Sequence, residues 1–213
     1  MAKSALEKAR EAPSSTKGRI LAAAEEVFAA KGFQGASTRE IASRAGVNIS
    51  SLHYHWESKE TLYFTVFRNI FDQIVALLRD TIAPLIARQV QREAAIDVTM
   101  RGLFDFFADN PNVPKLLMRR FVENEEFDVG IEREILLPAW GVFSEWLGRY
   151  LRRPVSEEDS RLFMLSLHSV MLVYLLDSRS YRTLLGGSVR SGPLRDRVRE
   201  HVTQLVHRLL TVA

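Results

Sequence analysis

Apolar residues recur at three- and four-residue intervals along nearly the whole chain, the spacing that lines one face of a helix. Ile20, Ala23, Ala24, Val27 and Phe28 follow Ser15 and Thr16, two candidate N-caps, and lead to Lys31-Gly32, a basic-then-glycine stop. A short helix over Thr38–Ala45 follows, with Thr38 as its cap and Ile41, Ala42 and Ala45 facing inward. Gly46 interrupts it, and a second short helix runs over Ile49–His55. Ser58 opens the next pattern, Leu62, Val66, Phe67, Ile70, Ile74, Leu77 and Leu78, ending near Arg79. Helices are then predicted over 93–108, 111–122 and 129–151, with Pro138 kinking or breaking the last. Ser156 opens another, to about Leu176, with Glu157, Glu158 and Asp159 in its first turn, which suits the helix dipole. It is apolar nearly all round and should be buried on all sides. Glycines at 186, 187 and 192 mark a loop before a final helix over 194–210. No period-two strand pattern of useful length occurs, so the fold class is all-α.

The segment 37–56 carries the most information. Two short helices crossing steeply need a small residue at the contact, here Ala42, and a residue free to turn left-handed, here Gly46. Ile41, Ala45, Val47 and Leu52 fill the inner faces. This is the helix-turn-helix pattern, whose second helix enters the DNA major groove. Asn48, Ser50 and Ser51 open that helix, where short polar side chains and free N–H groups suit phosphates and base edges. His53, Tyr54 and His55 continue along it and can donate to phosphate. Lys59 begins the next helix, where an ammonium and a positive helix end act together on a phosphate. Thr38 is a phosphate candidate from the first helix, and Arg39 or Arg44 reaches the backbone.

These residues resemble the tetracycline-repressor (TetR) family of bacterial transcription regulators. The likeness runs from about Ser14 to Ile74 and includes Gly32-Phe33, Ile41-Ala42, Ala45-Gly46-Val47, Leu52-His53-Tyr54-His55-Trp56 and Ser58-Lys59-Glu60-Thr61-Leu62. Trp56 stands where Phe is commoner in the family, and His53 where Tyr is. The resemblance implies a homodimer on a palindromic DNA operator, released by a small molecule in the C-terminal part. It sets the expected organisation: a flexible arm over 1–13, a DNA-binding domain over 14–74, and an effector-binding and dimerisation domain over 75–213.

Composition alters this picture little. The 213 residues hold 29 basic and 26 acidic side chains, a net charge of +3, and residues 1–60 carry nine basic and seven acidic. DNA binding would therefore rest on where a few side chains and helix ends point, more than on bulk charge. There is no cysteine, which excludes disulfides, thiolate metal sites and thiol nucleophiles and fits a reducing cytoplasm. No apolar run of about 18 residues is present, so no membrane partner is expected. Neither a catalytic triad, a glycine-rich phosphate loop nor an HExxH motif occurs, so the chain is read as no enzyme, with no cofactor.

The remaining candidates have two readings each. His53 and His55 are two apart on a helix and point to different faces, so a shared metal is not expected. His168 is either a satisfied core histidine or a ligand contact or pH sensor. Phe104, Phe107, Met118, Phe121, Trp140, Phe143, His168 and Met171 are candidates to line a cavity for an apolar or aromatic effector, against the plain reading of ordinary core. The acidic run 123–126 reads as a solvated loop. Arg190, Arg195, Arg197 and Arg199 read as a solvated face or as partners across a dimer. The helices over 156–176 and 194–210 are the expected homodimer surface. The alternative function is an all-α ligand-binding or protein-interaction module without operator-specific DNA binding.

Overall fold

The computed structural model describes residues 9–122, 130–151 and 155–212, without the side chains of 146, 149–151, 211 and 212. The acidic run 123–126 therefore lies outside the described residues. Every regular element among those described is helical: α1 Thr16–Gly35, α2 Thr38–Ala45, α3 Ile49–His55, α4 Lys59–Ala87, α5 Arg92–Asp109, α6 Asn112–Val122, α7 Leu137–Leu151, α8 Glu157–Leu175, α9 Arg179–Leu185 and α10 Gly192–Val212. A π-helical turn, Glu132–Leu136, leads into α7.

The helix starts follow side-chain chemistry. Ser15 accepts from Gly18 N at 3.2 Å, Asn48 from Ser51 N at 2.7 Å, Ser58 from Thr61 N at 3.0 Å and Ser156 from Asp159 N at 3.0 Å. Each satisfies a donor that the first turn leaves open. The cap of α2 is Ser37, accepting from Glu40 N at 3.2 Å, and not Thr38, which is the first helical residue. Either hydroxyl suits a cap; Ser37 takes the role because its backbone is extended.

Three boundaries depart from the sequence reading. Helix α1 breaks at Gly32 (φ 71°, ψ −179°) and then resumes to Gly35. Helix α4 continues past Arg79 to Ala87 although Pro84 lies inside it. Pro84 offers no N–H to the carbonyl four residues back, yet Ile82 on this last stretch is buried. Helix α9 falls on residues to which the apolar pattern assigned no element, just before the glycines read as a loop. It is capped by Ser178 and stopped by Gly186 at φ 74°. Pro138 sits in the first turn of α7, where its missing N–H matters least.

The chain divides into two compact units, Met1–Asp72 with Lys115–Ile135, and Gln73–Pro114 with Leu136–Ala213. Residues 115–135, expected with the C-terminal part, are thus grouped with the N-terminal residues. In the first unit α1 packs mainly on α2. Ile20, Phe28, Ile41, Leu52, Leu62 and Phe67 are wholly buried. Tyr63 meets Phe28, Phe33 and Phe67 with ring centroids 4.9, 5.1 and 5.0 Å away. Residues 9–11, expected in a mobile arm, form a helical turn. Ala9 is buried, and Arg10 donates to Asn69 Oδ1 at 2.7 Å and Asp72 Oδ2 at 2.9 Å.

In the second unit α8 and α5 both pack on α10, and α7 packs on α8. Arg195 bridges Asp105 and Asp109 at 2.8 and 2.6 Å, and Arg199 reaches Asp105 at 2.9 Å. Arg190 lies 3.4 Å from the buried Asp177 carboxylate. Three of the four arginines read as a solvated face thus pair within the chain, Arg195 and Arg199 with two aspartates of α5 and Arg190 with Asp177; Arg197 is exposed. Helix α8 is not buried on all sides. Leu162 and Leu165 are 57% and 44% exposed, since its neighbours within the chain cover only part of its circumference.

Candidate nucleic-acid interface

The helix pair α2–α3 is joined by a left-handed residue. Gly46 takes φ 65° and ψ 40°, and its N–H bonds to Ser43 O at 3.1 Å while Val47 N bonds to Ala42 O at 3.0 Å. Both bonds satisfy carbonyls that the end of α2 leaves open. Leu52 is the buried residue of α3 and anchors it, leaving the rest of its circumference available.

The polar residues of α3 are then set by helical phase. Asn48, Ser50, His53 and Tyr54 are exposed, and Ser51 and His55 are half-buried. Tyr54 is the most exposed large side chain of the segment, at 86%. An aromatic residue so bare, edge-on to His55 at 5.0 Å between centroids, is unusual without a partner surface. Asn48 uses its Oδ1 in the cap, which leaves its amide N–H groups to face outward. Burial, and then nearby Lys17, holds the His55 imidazole below its ordinary pKa, so it is neutral at pH 7 and donates a hydrogen bond without a charge. Arg39 is exposed and Thr38 half-buried on α2.

Two basic residues are engaged inside the unit. Arg44, read as reaching a phosphate, pairs with Glu26 at 2.6 Å. Lys59 donates its ammonium to Phe33 O at 3.0 Å and Ala36 O at 3.2 Å, and lies 4.1 Å from the centre of the Phe33 ring. Its charge thus meets the carbonyls at the end of α1. Arg19, absent from the candidates, is exposed, and its guanidinium comes within 3.8 Å of where a Cβ on Gly46 would stand. Its signal in the sequence is a basic residue off the apolar face in the first turn of α1, beside Lys17.

The cavity candidates disperse. Met118 and Phe121 belong to the first unit, with Phe121 52% exposed. The other six belong to the second. Phe104, Phe107 and Met171 are packed solid. Trp140 and Phe143 line a hollow of ≈ 250 Å³ between α7 and α8, with Leu137, Ser160 and Met164. Phe143 also borders a groove of ≈ 200 Å³ with Leu78, Ile82, Ile86 and Val142. The Trp140 indole N–H is buried without an acceptor. Burial pushes the His168 imidazole down to about 4, so it is neutral at physiological pH. Among the described residues no cluster of His, Asp or Glu is arranged to hold a metal ion. No single helix among them is long and apolar enough to cross a membrane.

A left-handed turn between two short helices, with a solvent-facing polar second helix, is the helix-turn-helix arrangement, and every regular element among the described residues is helical. Residues 20–66 match the family described as bacterial regulatory proteins, tetR family. The chain is 42% identical over 108 residues to the HTH-type transcriptional regulator RutR of Escherichia coli, covering 49% of this chain and 47% of RutR. It is 34% identical over 90 residues to the HTH-type transcriptional activator FasR of Mycolicibacterium smegmatis, covering 42% of this chain and 39% of FasR. The matches thus span less than half of those relatives' own length. A transcriptional regulator from Rhodococcus sp. shares the fold, with a TM-score of 0.67 at 20% identity over 92% of this chain and 96% of that one. Residues 20–66 are thus similar to the N-terminal segment of the tetR family, and the solved-structure likeness extends the shared fold over the rest of the chain.

Proposed function

We propose that the chain is a DNA-binding transcription regulator, a repressor released from a palindromic operator by a small apolar effector. The observation that carries the reading is the bare polar face of α3, with Tyr54 86% exposed at its centre. As a twofold dimer the protein would hold two such helices about 34 Å apart, one turn of DNA. A second copy would cover Leu162 and Leu165 on α8, and working on DNA places the protein in the cytoplasm.

The hollow at Trp140 and Phe143 supports an effector with an apolar body, and the unpaired indole N–H supports a hydrogen-bond acceptor on it. Helix α4 runs from Lys59 to Ala87, and release by an effector requires that its binding reach the helix-turn-helix. The effector must bind the DNA-free arrangement more tightly, or it releases nothing.

The test is selection of duplexes from a random pool, followed by binding across a salt series. The reading expects a palindromic consensus and an affinity that falls steeply with salt. Tyr54→Ala should weaken binding to every sequence. Recovery of no consensus, with no salt-dependent binding, would leave the all-α ligand-binding or interaction module instead.

A further inference from the structure

We infer that Lys59 and Arg119 are positioning residues of the reading head, a pair of cations that hold the broken end of α1 and make no contact with DNA phosphate. The inference rests on the DNA-binding reading for its functional consequence, and on geometry for its substance.

Gly32 is non-helical, so the regular helix is interrupted there. Arg119, from α6, binds two adjacent carbonyls just before the break. Its Nε donates to Ala29 O at 3.0 Å and its Nη2 to Ala30 O at 2.7 Å. A planar guanidinium fork suits two adjacent carbonyls, and a cation suits the negative end of a helix. Beyond the break, Lys59 binds Phe33 O and Ala36 O and lies over the Phe33 ring.

The placement of Lys59 gives this a purpose. Ala36 directly precedes Ser37, the cap of α2, and Lys59 follows Ser58, the cap of α4. One ammonium therefore ties the residue that enters the helix-turn-helix to the residue that leaves it. The ends of the unit 36–59 are fixed to each other, and Arg119 fixes the same strand of carbonyls one turn earlier. A phosphate role for Lys59 would require its ammonium to leave two charge-assisted bonds and a ring face.

The experiment compares Lys59→Met, Arg119→Met and Arg39→Ala with the wild-type chain on the selected operator. It reads affinity across a salt series, and amide exchange over residues 29–46 without DNA. Loss of the clamp should weaken binding by about 10-fold for each methionine variant. The slope of log affinity against log salt should stay at the wild-type value, and exchange over 29–46 should quicken. Arg39→Ala, at an exposed guanidinium, should flatten the slope by about 0.9 and leave exchange unchanged. Arg119→Lys keeps the charge and loses the fork; it should exchange at an intermediate rate, and it serves if the methionine variants do not fold. A slope flattened by about 0.9 in Lys59→Met, with unchanged exchange, would assign Lys59 to a phosphate and overturn the inference. Unchanged exchange in both methionine variants overturns it as well. If wild-type protein binds no DNA, the functional reading fails, and the exchange data still decide whether the clamp exists.

Discussion

Acid should weaken this fold through His168, and the size of the effect follows from its burial. The imidazole, half-buried on α8 with its Nδ1 shielded from water, is pushed down from 6.5 to about 4 because burial disfavours its cation. In the unfolded chain the same group takes its proton near 6.5. Between those values the unfolded state binds more protons, so stability falls as pH drops. The contribution is complete above about pH 7, amounts to a loss of about 2 kcal/mol at pH 5, and reaches about 3 kcal/mol below pH 4. His168→Gln removes the titration while keeping a neutral polar side chain. Urea unfolding followed by circular dichroism, at fixed protein concentration and ionic strength, gives both stabilities at pH 7.5, 6 and 5. The wild-type minus variant difference cancels the other titrating groups and should change by about 2 kcal/mol across that range. A difference that stays flat within about 0.5 kcal/mol would mean the folded protein accepts the proton, and the burial argument would be wrong.

Other substitutions probe the local devices. Asp177 has a side chain only 1% exposed, binds Arg182 and Ser188 at 2.6 and 2.8 Å and accepts from Val189 N at 3.1 Å. Burial alone would raise its carboxyl, but Ser188, Arg182 and Val189 outweigh it and hold the group below 3.8. Its stabilisation is therefore present above pH 4 and lost below, apart from most of the His168 window. Asp177→Ala should cost about 3 kcal/mol in urea unfolding, and Asp177→Asn about half, because Asn tolerates the φ of 49° and keeps part of the network. Gly46→Ala should cost about 1 kcal/mol from backbone conformation alone, since the added Cβ would meet only Arg19 Nη1 at 3.8 Å; a thermal melt measures it. Trp56 is 3% exposed and its indole N–H has no partner. Trp56→Phe sheds that unsatisfied donor and should shift stability by less than about 1 kcal/mol, against about 3 kcal/mol or more for Trp56→Ala.

The helix-turn-helix was legible because its determinants are local. Asn48 and Ser58 start their helices, Gly46 turns the chain, and Ile41 and Leu52 mark the inner faces, all within twenty residues. Helix α9 was missed because it buries no residue, so it leaves no apolar period to read. Helix α4 overran its expected end because tertiary burial of Ile82 outweighs the bond lost at Pro84. The functional assignment of Lys59 rested on position in the motif, whereas its observed partners at Phe33 and Ala36 lie 26 and 23 residues away. Arg119 meets Ala29 across 90 residues. Spacing patterns carry no signal for such a contact, and a guanidinium on an amphipathic helix reads the same whether it faces water or a carbonyl pair.

The dimer proposed above draws support from a feature of α8 that residue types alone conceal. Between Leu162 and Leu165 on one side and the end of the helix on the other stand Ser166 and Ser169, which look polar. Yet Ser166 Oγ donates to Leu162 O at 2.9 Å and Ser169 Oγ to Leu165 O at 2.8 Å. Their hydroxyl protons are already placed, so a partner surface over this stretch need supply no acceptor for them. The exposed face behaves as an apolar one, with two small side chains that let another helix approach closely. The same unit braces the neighbouring helix: Arg195 and Arg199 tie α10 to α5, and Asp177 fixes the chain between α8 and α10. Helices held in place before association lose less freedom when they meet a second copy. Arg195 and Arg199, read from sequence as part of a solvated face or as partners across a dimer, pair within one chain, and in the proposed dimer they would hold α10 and α5 in place before association.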